Sequence, residues 1–176
     1  MRSLEYSGAT LGMMGMVKKV VVLDLDRTLW DHPDISSTIP PFRRIDENTI
    51  ADSRGEVIRL ERCVRKLLLG LRANNVSLCV ASWNRPEIAL EALRTFSLLE
   101  LFDQVVIEPH PYKEEMLARI ARRLSLEGVR FEMYFFDDNP DVVRRVRSCL
   151  PWVRSFLVGV DIKSVCEIRK FLNVNT

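Results

Sequence analysis

The run Val20-Val21-Val22-Leu23-Asp24-Leu25-Asp26 constrains the fold more than any other stretch of the chain. Successive strand residues point to opposite faces, so an unbroken apolar run needs both faces covered. That calls for a sheet with a layer packed on each side, the arrangement of parallel α/β proteins. The same run ends in two carboxylates. Burying one charge is costly, and burying two like charges side by side costs more, so the site they make must hold something that compensates them.

The rest of the chain repeats the theme. Lys19–Leu25, Val76–Ala81, Gln104–Ile107, Glu132–Phe136 and Ser155–Val158 are short, apolar and rich in β-branched or aromatic residues, which predicts buried parallel strands. Helical spacing lies between them. Val57, Leu60, Val64, Leu67, Leu68 and Leu71 form one set; Ile88, Ala92, Leu93 and Phe96 a second; Met116, Leu117, Ile120 and Leu124 a third. Val142, Val143, Val146 and Leu150 form a fourth, and Ile162, Val165, Ile168 and Leu172 a last. The alternation predicts a doubly wound α/β fold. Asn84 before Arg85-Pro86, His110 before Pro111 and Asn139 before Pro140 read as capped helix starts. Each marks a strand's carboxyl end, where open α/β sheets bind ligands.

A chain of 176 residues is enough for one domain, assigned here to residues 16–176. Residues 1–15, MRSLEYSGATLGMMG, lack a period and read as a disordered tail. Residues 31–55, with Pro33, Pro40, Pro41 and Gly55, read as a loop or small lid over the site. A net charge of +2 gives no pull toward nucleic acid or a membrane. No apolar run reaches spanning length and none resembles a signal peptide, so a cytoplasmic location is the default expectation. Cys63, Cys79, Cys149 and Cys166 form no CxxC pair and read as buried reduced thiols.

Residues two apart on a strand share a face, so Asp24 and Asp26 converge if they lie where the strand runs out, unless the turn beyond it bends that geometry. Asp137 and Asp138 follow Tyr134-Phe135-Phe136 and end a second strand at the same edge. Carboxylates from both strands could hold one hard divalent cation such as Mg²⁺. Lys113 lies in the first turn of the helix expected from Pro111, where a cation opposes the dipole. Taken alone it reads better as solvated; beside four acids and a phosphate it could screen a nucleophile and grip a phosphoryl oxygen. Ser82, at the end of the second strand, reads either as a turn serine or as a hydroxyl for the same oxygen.

These residues resemble the haloacid dehalogenase-like (HAD) phosphohydrolases. Asp24-Leu25-Asp26-Arg27-Thr28 is similar to their DxDx[TV] motif, and Ser82, Lys113 and Asp137-Asp138 follow in the family's order. DLDRTLW and FFDDN resemble the magnesium-dependent phosphatase, or acid phosphatase-like, branch, over roughly Val17 to Val160. The resemblance implies a Rossmann-like three-layer fold with a central parallel sheet and a minimal cap. It implies Asp24 as nucleophile, forming an aspartyl-phosphate, and Asp26 as general acid and base. It implies Mg²⁺ on Asp24, the Asp26 carbonyl and Asp138, with Asp137 orienting a metal-bound water. Ser82, Lys113 and the backbone N–H groups of Leu25 and Asp26 would bind phosphate; Trp83 departs from the family, where a basic or polar residue is common, and reads either as stacking on the leaving group or as packing only. Expected substrates are phosphomonoesters, among them phosphotyrosine or small sugar phosphates, on a small molecule or a phosphoprotein; the oligomeric state is left open. Two alternatives stand beside this: a receiver-like module phosphorylated on aspartate, whose acids, hydroxyl and lysine follow a different chain order, and a non-catalytic phosphate-binding protein.

Overall fold

A computed structural model describes residues 17–172, so the tail expected over residues 1–15 lies outside the described residues. Five parallel strands form the central sheet: β1 (Lys18–Leu23), β5 (Ser77–Trp83), β6 (Gln104–Glu108), β7 (Phe131–Asp137) and β8 (Arg154–Leu157), in the spatial order β6-β5-β1-β7-β8. The gap in numbering is filled by a separate antiparallel sheet of β2 (Arg43–Asp46), β3 (Thr49–Ala51) and β4 (Val57–Arg59). The helices are α1 (Val64–Ala73), α2 (Pro86–Thr95), α3 (Lys113–Leu126), α4 (Pro140–Cys149) and α5 (Ile168–Leu172).

The alternation of the strands divides the core in two. Val21, Leu23, Val80 and Phe136 face α1, α2 and α5 through Leu68, Leu71, Leu93, Ile168 and Leu172. Val20, Val22, Cys79 and Phe135 face α3 and α4 through Met116, Leu117, Ile120 and Val146. Side chains on these faces are almost wholly removed from water, and burial of each large aliphatic contributes about 1.5–3 kcal/mol. This is the three-layer α/β architecture that the Val20–Leu25 run demands.

Several local expectations need correction. Val57 and Leu60 are not helical: Val57 lies in β4, and α1 begins at Val64, because Ile58 and Val57 pair with Ile50 and Ala51 across the small sheet. The segment 31–55 is thus a 3-10 turn at Ile35–Ser37 followed by most of that sheet. Pro111 precedes α3, which starts at Lys113 after Tyr112. Asn84 caps nothing: Arg85 is the N-cap of α2, and Pro86 opens the helix. Asn139 does cap α4, accepting from Asp141 N and Val142 N. The cysteines are not all reduced and buried. Cys63 and Cys166 form a disulfide between the start of α1 and the turn before α5, and Cys149 is exposed. Only Cys79 fits the expectation, with burial pushing its thiol up to about 12. Disulfides occur in oxidising compartments and in intracellular proteins of hyperthermophiles.

Asp52 holds the small sheet to the turn before it. It is buried, and its carboxylate accepts the backbone N–H groups of Arg54, Glu56 and Ile39, each at 2.9 Å. Burial works to raise its pKa, but these donors and Arg54 outweigh burial and hold it below the usual carboxylate range. Asp52→Ala strands three donors and is expected to destabilise the chain by roughly 2–3 kcal/mol at pH 7. A group with a lowered pKa stabilises the fold above its unfolded value, about 3.9, and that contribution fades as pH falls through the folded value. Urea titrations should therefore show a constant gap between parent and variant from pH 5 to 8, narrowing below pH 4. No gap at pH 7 would show that the carboxylate does not hold this turn.

Candidate active site

From β1 the chain builds β5 and β6 on one side, then returns to build β7 and β8 on the other. The order reverses between β1 and β7, and clefts at such switch points, outside the strands' carboxyl ends, are where ligands bind. Leu23 is level with Phe136 and Val80. The next residue, Asp24, donates its backbone N–H to Phe136 O at 3.0 Å and so lies beside Asp137, the last residue of β7. Carboxylate oxygens of Asp24, Asp137 and Asp138 lie within 4.8 Å of one another. The expectation that acids from two strand ends meet thus has a definite geometry.

Lys113 enters from the layer of α3 and α4. Its side chain is 2% exposed, and Nζ donates to Asp24 Oδ1 (2.6 Å), Ala81 O (2.7 Å) and Asp137 Oδ2 (2.9 Å). An ammonium has three protons, and all three are placed. To bind a phosphoryl oxygen, Lys113 must therefore exchange one of these bonds. Burial would lower its pKa, but Asp24 and Asp137 raise it above the ordinary lysine value. Burial and Asp137 raise Asp24 to about 7, against Lys113. Burial also raises Asp138, with Asp137 adding to it and Arg27 opposing. One lysine does not neutralise three carboxylates, and the surplus negative charge is the electrostatic signature of a cation site.

Asp26 is not one of these three carboxylates, because the turn beyond the strand bends the geometry. β1 ends at Leu23, and the next residues form a turn in which the N–H groups of Thr28 and Leu29 return to Leu25 O. Arg27 takes a left-handed φ of 53°, so strand alternation no longer applies. The Asp26 carboxylate instead accepts from Trp30 Nε1 (2.7 Å), Ile35 N (3.1 Å) and Asn84 Nδ2 (2.9 Å). Trp30 is buried and stacks on Phe96, which fixes its N–H. Burial raises the Asp26 pKa despite these donors, which favours the protonated form a general acid requires.

Asp24, Asp26, Arg27, Trp83, Asn84, Lys113, Asp137 and Asp138 line a cleft of about 710 Å³. Trp83 is half exposed at its wall. Ser82 and Leu25 are fully buried and are not among the lining residues; Ser82 Oγ accepts from Asn84 Nδ2 at 2.9 Å. Sequence reasoning missed Trp30, Ser36 and Asn84 as parts of the site. Asn84 had one usable signal, its place two residues after Ser82 at a strand end, but the following proline gave it the look of a cap.

The donor set fits a hard divalent cation. It consists of oxygen only, it carries excess negative charge, and Asp138 and one oxygen of Asp24 are not engaged by Lys113.

Residues 16–158 match the family described as Acid Phosphatase. Human magnesium-dependent phosphatase 1 is 31% identical over 128 residues, covering 71% of this chain and 70% of that protein. Among solved structures, a HAD-superfamily hydrolase, subfamily IA, variant 1, from Geobacter sulfurreducens has a TM-score of 0.60 at 16% identity, over 90% of this chain and 98% of that one. The N-terminal part of a Bacteroides fragilis protein, containing a phosphatase domain complexed with Mg, has a TM-score of 0.59 at 20% identity. It is matched over 90% of this chain, which spans 40% of that one. At these identities the two structures speak for the fold.

Proposed function

The chain belongs to the acid phosphatase family, a magnesium-dependent branch of the HAD-superfamily phosphatases, and from that premise we propose that it hydrolyses phosphomonoesters through an aspartyl-phosphate on Asp24. The observation that carries this reading is the meeting of Asp24, Asp137 and Asp138 around one point beside Lys113. Mg²⁺ would be held by Asp24 and Asp138, with Asp137 alongside, and when bound it supplies charge neutralisation toward an anionic phosphate.

The protein's own groups divide the work. In the first step an oxygen of Asp24 bonds to phosphorus, the bond from phosphorus to the leaving oxygen breaks, and Asp26 gives that oxygen its proton. In the second step water attacks the phosphorus, ionised Asp26 takes the water's proton, and phosphate leaves Asp24 free. Lys113 holds the Asp24 carboxylate in place and offsets negative charge near the transferred group. Trp83 and Arg85 at the cleft wall meet the leaving group. An open cleft of about 710 Å³ accommodates a small sugar phosphate or a phosphotyrosine side chain, with its protein outside.

A phosphatase screen across sugar phosphates, nucleotides and phosphotyrosine peptides, with Mg²⁺ and with chelator, tests the reading. Steady turnover of at least one substrate, lost on chelation, is expected; no turnover across the panel would overturn it. Asp26→Asn should lower kcat/KM toward an alkyl phosphate by about 10²–10⁴-fold, the usual worth of a general acid. A fall of less than tenfold would remove Asp26 from that role.

A further inference from the structure

We propose that Asn84 is the positioning residue of this site, one amide that sets the Asp26 carboxyl and the Ser82 hydroxyl together and is itself locked by Ser36. The inference rests on the phosphatase reading above. Asn84 is 3% exposed and follows directly on β5. Its Nδ2 donates to Asp26 Oδ2 and to Ser82 Oγ, both at 2.9 Å. Its Oδ1 accepts from Ser36 Oγ at 2.6 Å. Ser36 Oγ accepts Arg85 N–H at 2.8 Å, so its own proton is free to go to Asn84. A carboxylate only accepts, and the Ser36 hydroxyl has one proton to give, so these partners fix which end of the amide faces which way.

Two consequences follow for the chemistry. Asp26 Oδ1 already accepts from Trp30 Nε1 and Ile35 N, which fill its lone pairs. Oδ2 has one donor, Asn84, and one lone pair left. The transferable proton of Asp26 therefore sits on the oxygen that Asn84 holds, and it passes from there to the leaving oxygen as the bond to phosphorus breaks. Ser82 Oγ accepts from Asn84, which leaves its own proton as the hydroxyl's one donor. Asn84 acts through these two neighbours. The turn at Ile35–Ser37 thereby becomes part of the site rather than a cover over it, since it supplies both Ile35 N to Asp26 and Ser36 Oγ to Asn84.

The test uses the leaving group. The full chain with Mg²⁺ is assayed on p-nitrophenyl phosphate, whose phenolate departs without a proton, and on glycerol 2-phosphate, whose alkoxide needs one. In a two-step hydrolysis kcat/KM ends at departure of the leaving group, so it reports the proton donated there. Asn84→Ala should lower the alkyl-to-aryl ratio of kcat/KM by at least ~10-fold, within the span of general-acid effects. In an Asp26→Asn background it should change that ratio by less than ~2-fold, because positioning a missing acid has no effect. Ser36→Ala loosens Asn84 from outside the buried cluster and should move the ratio the same way by a smaller factor. An unchanged ratio in both single variants, or a full effect of Asn84→Ala without Asp26, would overturn the proposal while leaving the phosphatase reading intact. A parent chain that turns over neither ester would instead sink the phosphatase reading.

Discussion

Asp24→Asn should lose turnover by on the order of 10³-fold or more while keeping its fold. Removing a covalent nucleophile takes away the reaction path itself, and such losses exceed those of any positioning group. Stability should move the other way or not at all. Asp24 is buried, and burial with Asp137 beside it raises its pKa to about 7. A carboxyl whose folded value lies above its unfolded value contributes its full stabilisation below the unfolded value, and that contribution is lost as pH rises through the folded one. Without metal, then, ionised Asp24 is a burden above pH 7, and the neutral amide removes it while still accepting from Lys113. Melting temperatures at pH 8 in chelator should be equal or higher in the variant. Retained turnover in Asp24→Asn would refute the nucleophile assignment; a collapse in stability would show that the carboxylate is structural.

Lys113→Met is the second large effect, and here stability falls first. The side chain places three hydrogen bonds within the protein and separates two buried carboxylates. Methionine fills similar space but leaves Asp24 and Asp137 facing each other uncompensated. Breaking a buried ion pair from one side costs about 3–5 kcal/mol. In a chain of this size that is a fall of roughly 10 °C in melting temperature. The loss should grow with pH. With no cation nearby the Asp24 pKa rises further, so protons relieve the repulsion at pH 5 and do not at pH 8. Mg²⁺ supplies positive charge to the same carboxylates and should recover part of the loss in a thermal melt. Activity should fall as well, since the ammonium that bonds Asp24 is gone. A melting temperature in chelator unchanged from the parent at pH 8 would show that the lysine does not compensate these acids.

The sequence carries the central sheet in plain view because burial on both faces leaves runs such as Val20–Leu25 with no polar alternation. The strand ends shift by one or two residues, since the hydrogen-bonded ladder does not stop where hydrophobicity does. The small sheet leaves little trace: β3 and β4 are three residues each, and Val57 and Leu60 fall by coincidence on the spacing of α1. The Cys63–Cys166 bond joins residues 103 apart and has no local signature. At the site, Asp24, Asp137 and Asp138 are legible because charges at the ends of apolar strands demand a reason. Asp26 is half legible: its presence and a bending turn after the strand can be read, but the left-handed φ at Arg27 and the donors that hold its carboxylate cannot. Asn84 was hidden because its three partners come from residues 26, 36 and 82, which only the fold brings together.

The most direct measurement is a crystal structure of the chain grown with Mg²⁺ and beryllium fluoride, which adopts the shape of a phosphoryl group on a carboxylate. Beryllium bonded to a carboxylate oxygen of Asp24, with Mg²⁺ ligated by Asp24 and Asp138, is the expected result. Beryllium fluoride on another side chain, or Mg²⁺ ligated away from the ends of β1 and β7, would contradict it.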